Sequence, residues 1–454
     1  MNTSEASDNS SLTRALVRAV RGIRWDNIPE NAREVARHCL LDFFGVAIAG
    51  SREPLTEILV KEIVSSERSS EASLIGRAER ASRLTAALVN GAAGHALDFD
   101  DTHMAMGGHP SAPIIPAILA LAEASGASGR DVLEAIVVGV ETECRLGALI
   151  GAQHYTIGFH STGTLGTFGA AAACAHLLKL DEDGWLRALG LAGTQAAGLK
   201  SGFGTMAKPL HAGRAASNGL FSALAARGGY TSNPAVLETE QGFFATHAGA
   251  KPSQEVLDRL AGKFLIRDNL FKYHASCYLT HAPINAAQLI RSEHRFDPKT
   301  IDTVEVRVHP SLFSICNIQE PKTGLEGKFS LRATTAMALL GEDTSDLASF
   351  SDAKVAAPEV VSLRDRVNVV AAGKTRQTQA TVYLKSNGSD FQAESDSGKP
   401  AADLALQRDN LMRKFIALVS PILGRNGAQA SAQAALDAEN IPSAADLMRL
   451  TRAA

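Results

Sequence analysis

The chain has 454 residues, of which 45% are hydrophobic and 20% charged, and a formal net charge of −3. That length is long for a single core and predicts two or more domains. The slight acidic excess and the 5% aromatic content argue against a general nucleic-acid binder, which carries a basic surplus and stacking aromatics.

Residues 1–10 are polar and predict a disordered tail, without the basic start and apolar stretch of a signal peptide. No run of roughly 18 apolar residues occurs, so no transmembrane helix is expected. The cysteines, Cys39, Cys144, Cys174, Cys277 and Cys316, are scattered, odd in number and never in a CxxC pair. A reduced, cytoplasmic setting is expected, with neither a disulfide framework nor a zinc site.

From residue 11 to about 264 the pattern predicts one helix after another. Leu12, Leu16, Val20 and Ile23 keep a helical stripe. Val35, Leu40, Leu41, Phe44 and Ile48 belong to a more fully buried helix. Ser128 supplies an N-cap, Asp131 an acidic first turn, and Val132, Ala135, Ile136 and Val140 an apolar face. Gly163, Thr164, Gly166, Thr167, Gly169 and Ala170–Ala173 predict a helix slim enough for close packing. Its glycines do not form GxGxxG and no strand precedes them, so a dinucleotide loop is not expected.

The composition changes near Phe264, and residues 265–395 predict a smaller α+β domain. Ile301–Val308 alternates as a half-buried strand does. Val367–Ala371 and Thr378–Lys385 are further strand patterns, Asn387-Gly388 is a turn, and Phe391–Ala393 is the returning partner. Helices are expected at His281–His294 and Phe329–Leu340. Asp403–Leu423 returns to helix, so residues of about 396–454 complete the first domain. The fold class is therefore mainly α: a large all-helical domain plus a smaller α+β one.

Five polar constellations stand out. The first runs from His95 through Asp98, Asp100, Asp101 and Thr102 to His103, then to His109-Pro110-Ser111. His95, Asp98 and Thr102 are spaced to share one face if the preceding helix continues. Gly107 and Gly108 predict a flexible loop that delivers His109, a natural acid–base group near neutral pH. His and Asp also ligate metals, but no fixed spacing such as HExxH appears, and no metal is expected. The second is Gly158-Phe159-His160-Ser161-Thr162, where Ser161 or Thr162 is expected to cap a helix whose free N–H groups favour an anion. The third, Lys208-Pro209-Leu210-His211 with Arg214, gathers cations at a helix start. The dipole disfavours them there and an anionic ligand would explain them. The fourth, Lys272 to His281, offers Lys272 as a point charge for a carboxylate, with Cys277 read as a buried wall residue. The fifth is Lys328, after the Gly324–Gly327 turn.

In this order, GHALDFDDTH, GHPSAPIIPAILALAE, GFHSTGTLGTFGAAAA, KPLHAGRAA, CYLTHA and TGLEGKFSL resemble the MmgE/PrpD family, over about residues 12–423. The family includes 2-methylcitrate dehydratase, cis-aconitate decarboxylase and iminodisuccinate epimerase. The resemblance implies a homodimeric enzyme without metal or organic cofactor, acting on a small polycarboxylate. Carried over position by position, it implies a site containing Asp98, Thr102, His109, His160, Lys208, Lys272 and His281. His109 and His160 would exchange protons, Lys208, Lys272 and His281 would hold carboxylates, Asp98 would orient a histidine and Thr102 would bond substrate. Lys208 also counts among the catalytic residues, and His211, Arg214 and Lys328 among the substrate contacts.

Two departures bear on the reaction. The loop between Thr102 and His109 carries an extra residue relative to the decarboxylase pattern. Cys277 stands where that subgroup has a histidine. Dehydration of a 2-methylcitrate-like acid is therefore the first expectation, with epimerisation of an aminodicarboxylate or decarboxylation of a cis-aconitate-type acid as alternatives. A metal-dependent enzyme built on Asp98 and His109, and a carboxylate-binding helical protein without turnover, are the rivals from other classes.

Overall fold

The computed structural model describes residues 11–248 and 252–453; the expected tail at 1–10 lies outside them. Two compact units divide the chain. One runs to Phe271 and resumes at Ala401, and the other spans Lys272–Pro400.

The first unit is helical. Helix α1 (Leu12–Arg21) ends at Gly22, so Ile23 falls just beyond it. Helix α2 (Glu30–Gly50) is buried on nearly every side, as its apolar residues Val35, Leu40, Leu41, Phe44 and Ile48 predict. Helices α3 (Arg83–His95), α4 (Ser111–Ser125), α5 (Gly129–Ile150), α6 (Ser161–Leu177), α7 (Glu182–Gly193) and α8 (Ala207–Arg227) complete the layers. Ser128 and Asp131 form a reciprocal capping box at the start of α5. That pairing satisfies two of the N–H groups every helix start leaves open.

The slim α6 packs against α4, α5 and α8. At Gly166 an added Cβ would sit 2.4 Å from Pro113 Cγ of α4, so the absence of a side chain there is what lets the helices meet. The C-terminal helix Leu404–Leu436 runs past the expected end at Leu423. It is interrupted at Gly424, whose φ of 68° no helix accommodates. Its Lys414 Nζ reaches Asp42 at 2.7 Å and the Phe99 carbonyl at 2.6 Å, which pins the segment after α3 to α2. Among the described residues no helix is long and apolar enough to cross a membrane.

The second unit holds helices α9 (His281–Glu293), α10 (Leu331–Leu340) and α11 (Pro358–Arg364) and one four-stranded sheet. The strands are β1 (Ile301–Val308), β2 (Val367–Ala371), β3 (Gln379–Ser386) and β4 (Ser389–Asp396), in the order β2-β1-β3-β4. β1 is parallel to β2 and antiparallel to β3, and β3 and β4 form a hairpin. Asn387 (φ 48°) and Gly388 (φ 75°) make its two-residue turn, both left-handed as a type I′ turn requires. β4 exceeds the expected Phe391–Ala393 because pairing continues to Gln379↔Asp396. An edge strand of largely polar residues gives no apolar signal of its length. Val304, Val306, Val382 and Leu384 meet Ala286, Ala287 and Ile290 of α9 in the core.

Candidate active site

Helix α3 stops at His95. The expected shared face for His95, Asp98 and Thr102 does not form. Asp98 adopts a left-handed backbone (φ 51°), a conformation Asp tolerates better than most residues. Thr102 then pairs with Leu270 in a short antiparallel bridge. The segment after α3 is thus irregular backbone in a buried position, held by side chains rather than by a helix ladder.

The loop to His109 is pinned, contrary to the flexibility its glycines suggested. His103 N–H bonds the Gly108 carbonyl at 2.9 Å, and the Thr102 hydroxyl donates to the same carbonyl at 3.0 Å. His103 Nε2 meets the Leu265 carbonyl at 2.8 Å. An added Cβ at Gly108 would lie 3.0 Å from both Thr162 N and Thr162 Oγ1. Glycine there serves close approach to α6 rather than mobility. The His109 N–H donates to Thr162 Oγ1 at 3.0 Å. The N-cap of α6 is His160, without a side-chain capping bond, and Ser161 and Thr162 already lie inside the helix. Thr162 therefore holds the His109 turn and does not cap.

These constraints bring a cluster together. Lys208 Nζ lies 2.6 Å from Asp98 Oδ1, and His109 Nε2 lies 3.6 Å from the same oxygen. Asp100, which drew no role from the sequence, sits between two histidines. His95 Nδ1 is 2.9 Å from both its oxygens, and His109 Nδ1 is 3.2 Å from Oδ2. His160 Nδ1 is 3.1 Å from His211 Nδ1. The rings of His95 and His109 lie 4.5 Å apart, those of His95 and His160 5.7 Å, and those of His160 and Phe203 4.9 Å. His95, Asp98, Asp100, His109, His160 and Lys208 are all buried. Arg214 is exposed and stands outside the cluster.

Burial sets the charge states, and specific partners modify them. Burial drives His95 down to about 4, even though Asp100 pulls the other way. Burial, then the charges of His95, Lys208 and His109, hold His160 well below the usual histidine range. His211 is lowered by burial and by Lys208. Burial alone would raise Asp100, but His109 and His95 beside it hold it well below the carboxylate range. The result is ionised Asp100 among neutral His95, His160 and His211, next to the Asp98–Lys208 ion pair. His95, Asp98, Asp100 and His109 also offer ligand atoms within 4.8 Å of one another, so they could hold a metal ion, although Lys208 already sets a cation against Asp98.

In the second unit Lys272 is fully buried, and Lys328 and His281 are buried too. His281 opens α9, its ring 4.9 Å from His274 and 5.0 Å from Tyr278. The Lys328 carbonyl accepts from Cys277 N–H at 2.9 Å. Lys328 follows a one-turn helix (Gly324–Gly327) capped reciprocally by Thr323 and Glu326. Cys277 is buried among apolar residues. Its hydrogen bond to Cys316, followed by burial, pushes the Cys316 thiol well up.

Comparison with known proteins gives a consistent picture. Residues 14–255 match the MmgE/PrpD N-terminal domain and residues 274–440 the MmgE/PrpD C-terminal domain. The chain is 29% identical over 413 residues to a cis-aconitate decarboxylase of Aspergillus terreus, covering 82% of this chain and 84% of that protein. It is 29% identical over 436 residues to the cis-aconitate decarboxylase of Homo sapiens, covering 91% and 89%. A cis-aconitate decarboxylase-like protein of Aspergillus oryzae is 33% identical over 310 residues, covering 65% and 64%. Two family domains in order, spanning most of the chain, establish that this protein belongs to the MmgE/PrpD family.

Proposed function

We propose that the chain is a lyase acting on a small polycarboxylate without an organic cofactor. Decarboxylation of a cis-aconitate-type acid is the first reading and dehydration of a 2-methylcitrate-type acid the second. The residues alone put dehydration first; the relatives, which are cis-aconitate decarboxylases, reverse that order. Cys277 keeps dehydration in view. Epimerisation of an aminodicarboxylate stands third.

The observation that carries the reading is the buried constellation of His109, His160, Asp98 and Lys208. Loss of CO2 from a carbon beside a C=C bond leaves an electron pair. That pair forms a new double bond, the old one shifts, and the far carbon takes a proton. The site must supply that proton and stabilise negative charge on the remaining carboxylates. Two carboxylates flank His109, which suits it to hand over a proton. His160, held neutral, is suited to accept one. Lys208 supplies the cation, with Thr102 as a support of the His109 loop. Lys272, His281, His211 and Lys328 are proposed carboxylate contacts on their sequence pattern. General acid–base catalysis contributes about 10²–10⁴-fold, and one well-placed charge about 3 kcal/mol, so both kinds of group are needed.

The test is a panel of aconitate-like, citrate-like and aminodicarboxylate acids incubated in deuterated water and read by NMR. Itaconate-type product with one deuterium on carbon supports the first reading, and an unsaturated acid formed from a hydroxy acid supports the second. No turnover of any acid, with ligand-induced thermal stabilisation alone, would replace both by a binding protein. The His95–Asp98–Asp100–His109 grouping motivates one further arm. Loss of turnover in EDTA, restored by a divalent ion, would make the lyase metal-assisted. The homodimer and the cytoplasmic setting are proposed from the family resemblance and the scattered thiols, and sedimentation velocity checks the first.

A further inference from the structure

The geometry points to Asp100 as a positioning residue that selects the tautomer of His109, with His95 as the clamp that holds Asp100. This rests on the reading of His109 as a proton-transfer group.

Asp100 is completely buried. His95 Nδ1 reaches both its oxygens at 2.9 Å, which fixes the plane of the carboxylate. Oδ2 then lies 3.2 Å from His109 Nδ1. This second approach is not aligned as a hydrogen bond, and the buried His109 Nδ1 has no other partner. A small rotation of the imidazole aligns it, as catalytic hydrogen bonds often tighten only once substrate is bound. An ionised carboxylate can only accept, so each ring presents N–H at Nδ1. In a neutral imidazole the lone pair is then left on Nε2, so in His109 it is Nε2 that takes up the proton and hands it to the substrate. For His109 that nitrogen faces the Asp98–Lys208 pair, 3.6 Å from Asp98 Oδ1. The reacting nitrogen is thereby aimed beside the ammonium proposed to hold a substrate carboxylate. His95 has a different part. It is buried, its Nε2 makes no hydrogen bond, and its ring packs between His109 and His160. It acts through Nδ1 on Asp100 alone.

The first test is Asp100→Asn. The amide keeps one oxygen and puts an NH2 in place of the other, so a donor now faces an Nδ1–H that the carboxylate had accepted from. kcat is expected to fall by about 10²-fold or more with KM within about threefold, the pattern of a lost tautomer rather than a lost binding contact. Nitrogen-15 NMR of histidine-labelled protein is expected to show His109 leaving the Nδ1–H form. The second test compares His95→Asn with His95→Ala. The asparagine amide reproduces donation from the Nδ1 position, so His95→Asn should keep kcat within about threefold, while His95→Ala loses about tenfold. The inference is overturned if Asp100→Asn keeps wild-type kcat with an unchanged His109 tautomer. It is equally overturned if His95→Asn is as damaged as His95→Ala, which would move the role of His95 to Nε2. Should the wild type turn over no acid, the proposed function fails, and the NMR reading still decides the tautomer claim by itself.

Discussion

Asp100 and Asp101 are consecutive and both completely buried, yet they serve different halves of the molecule's logic. Asp100 faces histidines and is held ionised by them. Asp101 faces away. Its Oδ1 accepts from Ser111 N at 3.2 Å, and its Oδ2 accepts from Ser111 Oγ at 2.5 Å and Asn269 Nδ2 at 2.6 Å. Around it stand Cys39 and Asp42 of α2, Asp100 and Glu143 of α5. Burial, and then Asp42, push Asp101 up to about 7, against the pull of Ser111 and Asn269. On the proposed reading one side chain thus serves the chemistry, and its neighbour the joint that places α4, and with it His109.

Removing the cation gives the largest expected effect on the first half of this comparison. Lys208→Met takes the ammonium from Asp98. Breaking a buried ion pair from one side costs about 3–5 kcal/mol, so denaturant midpoints should fall sharply and turnover should vanish. A variant with near-normal stability would mean that Asp98 is neutralised by other groups.

The second half is probed by Asp101→Ala, which leaves the Ser111 and Asn269 donors without their acceptor. The expected cost is about 1–3 kcal/mol of stability. Its effect on kcat should be smaller than that of Asp100→Asn, since the joint loosens while the histidine fork survives. An Asp101→Ala variant catalytically worse than Asp100→Asn would erase the distinction.

The smallest effect is a slope in pH. Asp101, raised to about 7 in the folded chain, keeps a proton that the unfolded chain releases above its ordinary value of roughly 4. Its contribution to stability is therefore full in acid and is lost as pH rises through about 7. His95, lowered to about 4, works in reverse. The unfolded chain takes up a proton below roughly 6.5 that the folded one refuses, so stability falls as pH drops from there towards 4. Asp101→Asn should remove the first slope and leave the second, as denaturation curves across pH 4–8 would show. Parallel wild-type and variant curves would refute the assignment.

The helices and the strands were legible because periodicity reports which face is buried. The N-cap at Ser128 and the acidic first turn at Asp131 were legible, and their reciprocal bonding came with the structure. His109, His160 and Lys208 stood out because polar residues between apolar runs need a reason. Asp100 and His95 lie in the same GHALDFDDTH segment, where nothing in the spacing marks them out as a pair. The helical spacing assumed for His95, Asp98 and Thr102 grouped the wrong set, and only the left-handed turn at Asp98 turns Asp100 towards the histidines. One signal was present: an acidic run threaded by Leu97 and Phe99 is unlike a solvated cap, and both of those side chains are buried. The part played by Thr162 was hidden because it depends on Gly108 approaching α6, a contact between residues far apart in sequence.

His109 and His160 are the proposed proton-transfer groups, and the most direct measurement is kcat for His109→Ala and His160→Ala on whichever acid the wild type turns over. The folded state of each variant is checked by circular dichroism and thermal melting. Loss of at least about 10²-fold in kcat, with folding intact, is the predicted result for both. Near-normal turnover in both folded variants would contradict the account.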